Sequence, residues 1–232
     1  VAGGAPEWIG VHPSGKFAYL ANDNDTAVDV YAINSTTGVL TNTGSAYACI
    51  NSLRTPGVAS GFDPSGKFLY VPQGCSFDNV LTFSVNQTNG ALTLANTSNG
   101  SLVWLAVHPM GNFVYGLSGN AVAIYGVNPT SGMLMTVGTA NTGSMPAGIA
   151  IDPTGQFLYV ANSGSNDVYE YSINPTTGTL SPLGVVGGLS TPAGITIERS
   201  GKFLYVLNGQ DAGCAYGTGG SVQSFSVATS GD

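Results

Sequence analysis

Charge is what this chain of 232 residues has least of: charged side chains make up 7% of it, where a globular domain averages about 25%. Five are basic and twelve acidic, for a formal net charge of −7. Nucleic acid and anionic membranes are therefore not expected partners, since both are bound through clustered Lys and Arg. Helix formers are short as well. Three Glu and five basic residues cannot supply the exposed faces of helices, while the strand-favouring Val, Thr, Tyr and Phe are plentiful. No stretch approaches the roughly 20 uninterrupted apolar residues of a spanning helix. Three cysteines, Cys49, Cys75 and Cys214, are too few for a disulfide framework and are not at zinc spacing. The chain opens at Val1 with neither Met nor an apolar leader, the form expected of a mature chain or an excised fragment.

What is present is apolar residues at 43%, 20 Phe and Tyr together, and 34 Gly, about twice the usual share. That argues against disorder. Surface polarity has to come from Ser, Thr and Asn, a coat that suits a secreted, periplasmic or cell-surface protein. Self-comparison settles the architecture. HPSGKFAYLAN from His12, DPSGKFLYVPQ from Asp63, HPMGNFVYGLS from His108, DPTGQFLYVAN from Asp152 and ERSGKFLYVLN from Glu198 are copies of one phrase. A second phrase, of the form VYAINSTTGVL, follows each copy and is cut short at the C-terminus as QSFSVATSG. The period is about 46 residues, with units near 1–43, 44–94, 95–136, 137–183 and 184–232. In the fourth unit the turn signals predict strands at 147–152, 156–162, 167–174 and 179–186. Four antiparallel strands per unit predict an all-β fold, a single β-propeller domain with five visible blade repeats. Residues 1–4 are expected to pair beside 222–227 and complete the last blade.

The recurring HPSGKF-x-Y-x-x-N phrase, followed by V-x-x-Y-x-I-N-x-x-T-G-x-L, resembles the lactonase-type β-propellers, the 6-phosphogluconolactonase-like proteins and the related YVTN-type surface repeats. The resemblance covers all five units and implies a propeller of a family with typically seven blades. It also implies lactone hydrolysis as an activity, although the matching residues are turn glycines and core aromatics that build blades.

Read from the residues themselves, the inventory for catalysis is thin. His12 and His108 are the only histidines and share one position with Asp63, Asp152 and Glu198, where a turn-holding side chain is expected. Arg54 lies in the segment leading into an innermost strand, and Glu7 stands at the matching place in the first repeat; the pair could serve a lactonase or form a rim ion pair. Asp23 and Asp25 are the candidates for a metal, but the calcium-loop spacing is missing. No cofactor is implied, because neither a phosphate-cradling glycine loop nor a nucleophile elbow is found. Trp8 and Trp104 occupy equivalent positions and, with Arg54 and Glu7, form the expected ligand mouth for a carbohydrate or a protein segment. A Cys49–Cys75 bridge is expected, with Cys214 the rival partner. The leading expectation is a non-catalytic binding or assembly scaffold, with self-assembly or membership of a longer chain allowed for; the alternative is a lactonase-like hydrolase.

Overall fold

The computed structural model describes residues 6–22, 27–48, 60–73, 79–209 and 220–227, the side chains of Pro6 and Glu7 apart. Among these residues there are nineteen strands and no helix. The first sheet is β1 (Pro6–Val11), β2 (Phe17–Asn22), β3 (Ala27–Ile33) and β4 (Leu40–Tyr47). β5 (Gly61–Phe62), β6 (Phe68–Gln73), β7 (Asn79–Val85) and β8 (Leu92–Asn99) make the second. The third holds β9 (Leu105–Val107), β10 (Phe113–Ser118), β11 (Ala121–Val127) and β12 (Leu134–Asn141). The fourth holds β13 (Pro146–Ile151), β14 (Phe157–Asn162), β15 (Asp167–Ile173) and β16 (Leu180–Gly187), within two residues of the strands the turn signals predict. β17 (Pro192–Ile197), β18 (Phe203–Asn208) and β19 (Ser221–Ser226) form the fifth, three-stranded among the described residues. Each sheet is an antiparallel meander in chain order, which is a propeller blade. The expected pairing of residues 1–4 lies outside the described residues.

By its internal contacts the chain forms two compact units, residues 1–114 with 126–135, and 115–125 with 136–232. In the first unit Phe17, Tyr19, Ala21, Val28 and Val30 of the first blade pack on Leu69, Val71, Leu81 and Phe83 of the second. In the second unit Tyr159, Ala161 and Val168 pack on Leu204 and Val206.

Neighbouring blades are joined at glycines whose conformation explains the repeated phrases. Gly90 closes the β7–β8 turn with φ +77°, and its carbonyl accepts a 2.7 Å hydrogen bond from the Tyr19 hydroxyl of the blade before. A Cβ there would sit 2.7 Å from the Phe17 ring, so the close approach needs glycine. In the second unit Tyr115 donates to the Gly178 carbonyl at 2.8 Å. The recurrent Asn at the start of that turn is explained as well: the Asn86 side-chain oxygen accepts from the backbone N–H of Thr88 and Asn89. Burial pushes the Tyr19 hydroxyl pKa up to about 12, and raises those of Tyr70 and Tyr115 further. The same aromatic face is open in the fifth blade, where Phe203, Tyr205 and Leu207 are exposed.

Candidate functional site

Each blade has two ends. At the turn end lies the short connection between its first and second strands; at the loop end lie the segment leading into the first strand and the connection between the second and third. The shared His, Asp or Glu position belongs to the turn end. Asp63 accepts from the Phe68 N–H at 2.6 Å and the Ser65 N–H at 3.1 Å. Asp152 does the same with Phe157 and Thr154, at 2.7 and 2.9 Å. The carboxylate of Glu198 accepts from the N–H groups of Ser200 and Lys202. A hydrogen bond from the Ser200 hydroxyl, helped by those from the backbone N–H groups, holds its pKa down at about 2.

His12 and His108 carry out the same task with a ring nitrogen. Nδ1 of His12 accepts from the Ser14 N–H at 3.1 Å, which leaves Nε2–H to donate to the Gly66 carbonyl of the next blade at 2.9 Å. Nδ1 of His108 accepts from the Met110 N–H at 3.2 Å. Both rings are almost fully buried and stand edge-on to a phenylalanine, Phe17 and Phe113. Neither is placed at the loop end with Trp8. Lys16, Lys67, Arg199 and Lys202, all exposed, also belong to the turn end.

The loop end is built on a different repeated residue. Pro6 pairs with Asn22, Pro146 with Asn162 and Pro192 with Asn208, and in each case the next residue bulges out of the ladder. The bulged residues are Glu7, Ala147 and Ala193. Bulges re-aim the chain at sheet rims and beside functional sites. The buried Asn162 amide donates to Asp167 at 2.9 Å and its oxygen accepts from the Thr142 hydroxyl, tying both loops together. Asn22 similarly donates to Asp29 at 2.9 Å.

In the second unit the residue before the proline is held at positive φ although it is not glycine: Met145 at 52° and Thr191 at 44°. Asn120 accepts from the Met145 N–H at 3.2 Å, and Asn166 from the Thr191 N–H at 2.8 Å. Left-handed backbone at a β-branched residue costs energy and is kept only where neighbours fix it, commonly at functional rims. The Y-x-x-N signal is visible in the repeated phrase; its loop-fixing role becomes evident only from these hydrogen bonds.

Of the expected mouth, Trp8 and Trp104 are both half-buried. Trp8 folds back along β1 over Gly10, where a Cβ would lie 2.2 Å from the indole, and its ring reaches Phe62 at 6.3 Å. It is thus partly a packing residue of the first core. Trp104 stands one residue ahead of β9. Arg54, Asp23, Asp25, Cys49, Cys75 and Cys214 lie outside the described residues, as does the Glu7 side chain. A cavity of about 190 Å³ opens in the second unit, walled by Val168, Val186, Leu204, Phe225 and Val227 around Glu170 and Tyr159. There Tyr159 donates to the Glu170 carboxylate at 3.3 Å. The other blades carry Val30, Thr82, Ile124 and Ser224 where the fourth has Glu170.

Antiparallel blades repeated at this period, with backbone turns at one end and side-chain-fixed loops at the other, define a β-propeller. The family described as Lactonase, 7-bladed beta-propeller matches residues 1–104, 103–186 and 165–232, and the chain belongs to that family. A 6-phosphogluconolactonase of Formosa agariphila is 29% identical over 168 residues, 72% of this chain and 35% of that protein. A 6-phosphogluconolactonase of Pectobacterium carotovorum is 31% identical over 96 residues, 40% of this chain and 29% of that one. The chain thus spans about a third of the length of these relatives. Among solved structures, a Lactobacillus plantarum protein aligns with TM-score 0.76 at 20% identity, covering 88% of this chain and 64% of that one. The Pseudomonas aeruginosa periplasmic gluconolactonase aligns with TM-score 0.65 at 21% identity, covering 80% and 54%. At such identities the structures speak for the fold alone.

These relationships correct the leading expectation from the sequence. The non-catalytic scaffold is overturned by relatives that are themselves named 6-phosphogluconolactonases, and these relatives favour the hydrolase alternative. The physical reason is that few His and Arg do not mean few catalytic groups, since hydrolysis needs only one base and one oxyanion donor.

Proposed function

We propose that this chain acts in lactone hydrolysis. Water adds to the carbonyl carbon of a sugar lactone, the ring C–O ester bond breaks, and the released ring oxygen takes a proton to leave an open-chain aldonic acid. What carries the reading is the match of the lactonase family along the whole chain. The chemistry requires a base for the attacking water and a donor for the oxyanion. We assign the base to Glu7, the residue that bulges out of β1, and the donor to Arg54, on their sequence positions. Trp8, half-buried beside the bulge, supplies a flat face for the sugar ring. Ring opening of D-glucono-1,5-lactone followed by pH-stat tests this. Glu7→Gln and Arg54→Ala should each lower kcat by about 100-fold or more while the far-UV spectrum stays that of the parent. No acceleration over spontaneous opening by the parent chain refutes the reading.

A further inference from the structure

We propose that the cavity of the second unit binds a small organic ammonium ion, an amine carrying an aromatic ring or a short alkyl chain, with Glu170 as its counter-charge. The observation is a carboxylate where the repeat has none. Strand register sets Glu170 opposite Tyr159, and the residues opposite the matching tyrosines of the first, second and fifth blades are Val30, Thr82 and Ser224. In the first and third blades that tyrosine donates to a glycine carbonyl of the following blade, Tyr19 to Gly90 and Tyr115 to Gly178. Tyr159 instead donates to the Glu170 carboxylate at 3.3 Å. Burial first, and then the charge of Glu170, raise the Tyr159 pKa, so the hydroxyl keeps its proton and stays a donor at neutral pH.

Around this pair the walls are apolar. Val168 and Leu204 are buried, and Val186, Phe225 and Val227 complete a cavity of about 190 Å³. An apolar cavity of about 150 Å³ takes up benzene, so a single ring or a chain of a few carbons fits here. A carboxylate has room for roughly four hydrogen bonds, and among the described residues the Tyr159 hydroxyl is its one partner. An ammonium group supplies what the walls do not: it donates, it carries the opposite charge, and charge-assisted hydrogen bonds are about twice as strong as neutral ones. The Phe225 ring in the wall is a further group that attracts cations. Every residue of the cavity belongs to the second unit, and the proposal is independent of the hydrolase reading.

The experiment is an NMR titration of the full chain with benzylamine, a cation at neutral pH, and with benzyl alcohol as its neutral counterpart. Benzylamine should shift the methyl signals of Val168, Leu204 and Val227 and the carboxyl carbon of Glu170 together, with saturation, and should bind at least about ten-fold more tightly than the alcohol. Glu170→Gln keeps the size of the side chain and an acceptor for Tyr159, so it should remove that preference while the remaining methyl spectrum stays that of the parent. Equal affinity for amine and alcohol overturns the proposal, as does a preference for the amine that survives in Glu170→Gln. No saturating shift at these methyls by about 10 mM benzylamine overturns it too. Where Glu170→Gln does not fold, the parent chain decides by itself: benzoate, of similar size and opposite charge, should give no saturating shift at these methyls, and benzoate binding as tightly as benzylamine overturns the proposal.

Discussion

Two tyrosines in one unit make opposite predictions under the same substitution. Tyr19 and Tyr70 are equivalent residues on equivalent strands, β2 and β6, and both are fully buried. The Tyr19 hydroxyl donates to the Gly90 carbonyl at 2.7 Å, whereas the Tyr70 hydroxyl has no partner among the described residues. Tyr19→Phe therefore removes a made hydrogen bond and leaves a buried carbonyl without its donor, for a loss of about 1.5 to 2 kcal/mol. Tyr70→Phe removes a buried hydroxyl that no described residue hydrogen-bonds, so it should be neutral or stabilising by up to about 1 kcal/mol. The assay is urea unfolding followed by tryptophan fluorescence, since Trp8 packs against the core that holds Tyr19. With a slope of about 2.5 kcal/mol per molar urea, the Tyr19 variant should lose about 0.7 M in midpoint at unchanged slope, and the Tyr70 variant none. Equal losses in the two variants would refute the reasoning, because volume and ring chemistry are the same in both.

Glycine substitutions separate backbone strain from collision. Gly38→Ala meets φ +71° with nothing within 4 Å and should cost about 1 kcal/mol, while Gly90→Ala adds a 2.7 Å contact with the Phe17 ring and should cost at least about 2; equal costs by urea unfolding would show that the ring moves aside freely. Asp152→Ala gives up the acceptor for the Phe157 and Thr154 N–H groups and should cost about 2 kcal/mol, with Asp152→Asn recovering part of it. For Glu198 the folded pKa is depressed, so its contribution to the β17–β18 turn is present above the ordinary value of 4.5 and is lost as pH falls toward about 2. Carboxyl carbon shifts should titrate near pH 2, and a midpoint near 4.5 would remove the turn's hold on the group.

The blades were legible because their sequence requirements recur. Gly15, Gly66, Gly111, Gly155 and Gly201 all take φ between 70° and 75°, and a residue type demanded at five places cannot be hidden by composition. The Phe and Tyr two residues apart, as in Phe17 and Tyr19, fall on one buried face for the same reason. Less legible was how blades meet. That His12 spans to the Gly66 carbonyl, or that Gly90 lies on Phe17, depends on side chains 54 and 73 positions apart, and nothing in the local pattern of either element records the partner. The loop-end architecture was half visible: the Asn ending β2, β14 and β18 belonged to the recurring phrase, but the bonds of Asn22 and Asn162 to an aspartate of the next strand need coordinates.

Function resisted the same treatment for a reason that follows from repetition itself. A residue present in every blade answers a demand made by every blade, and His12, Asp63, His108, Asp152 and Glu198 do so by holding one turn apiece. Chemistry at a single site has to come from residues that break the pattern. Glu7 stands where the fourth and fifth repeats have Ala147 and Ala193, and Arg54 precedes a Thr-Pro pair that Ser190-Thr191-Pro192 repeats without a charge. Trp8 and Trp104 stand where Gly148 and Gly194 occur, and Gly148 has the backbone of Gly194 only 3.2 Å from its Cβ position. An indole at Gly148 would therefore displace a strand, whereas in the first blade the indole is accommodated over Gly10. The space for the Trp8 ring at the loop end is thus a local property of the first blade, set by Gly10 two residues further along, and the shared fold alone does not provide it.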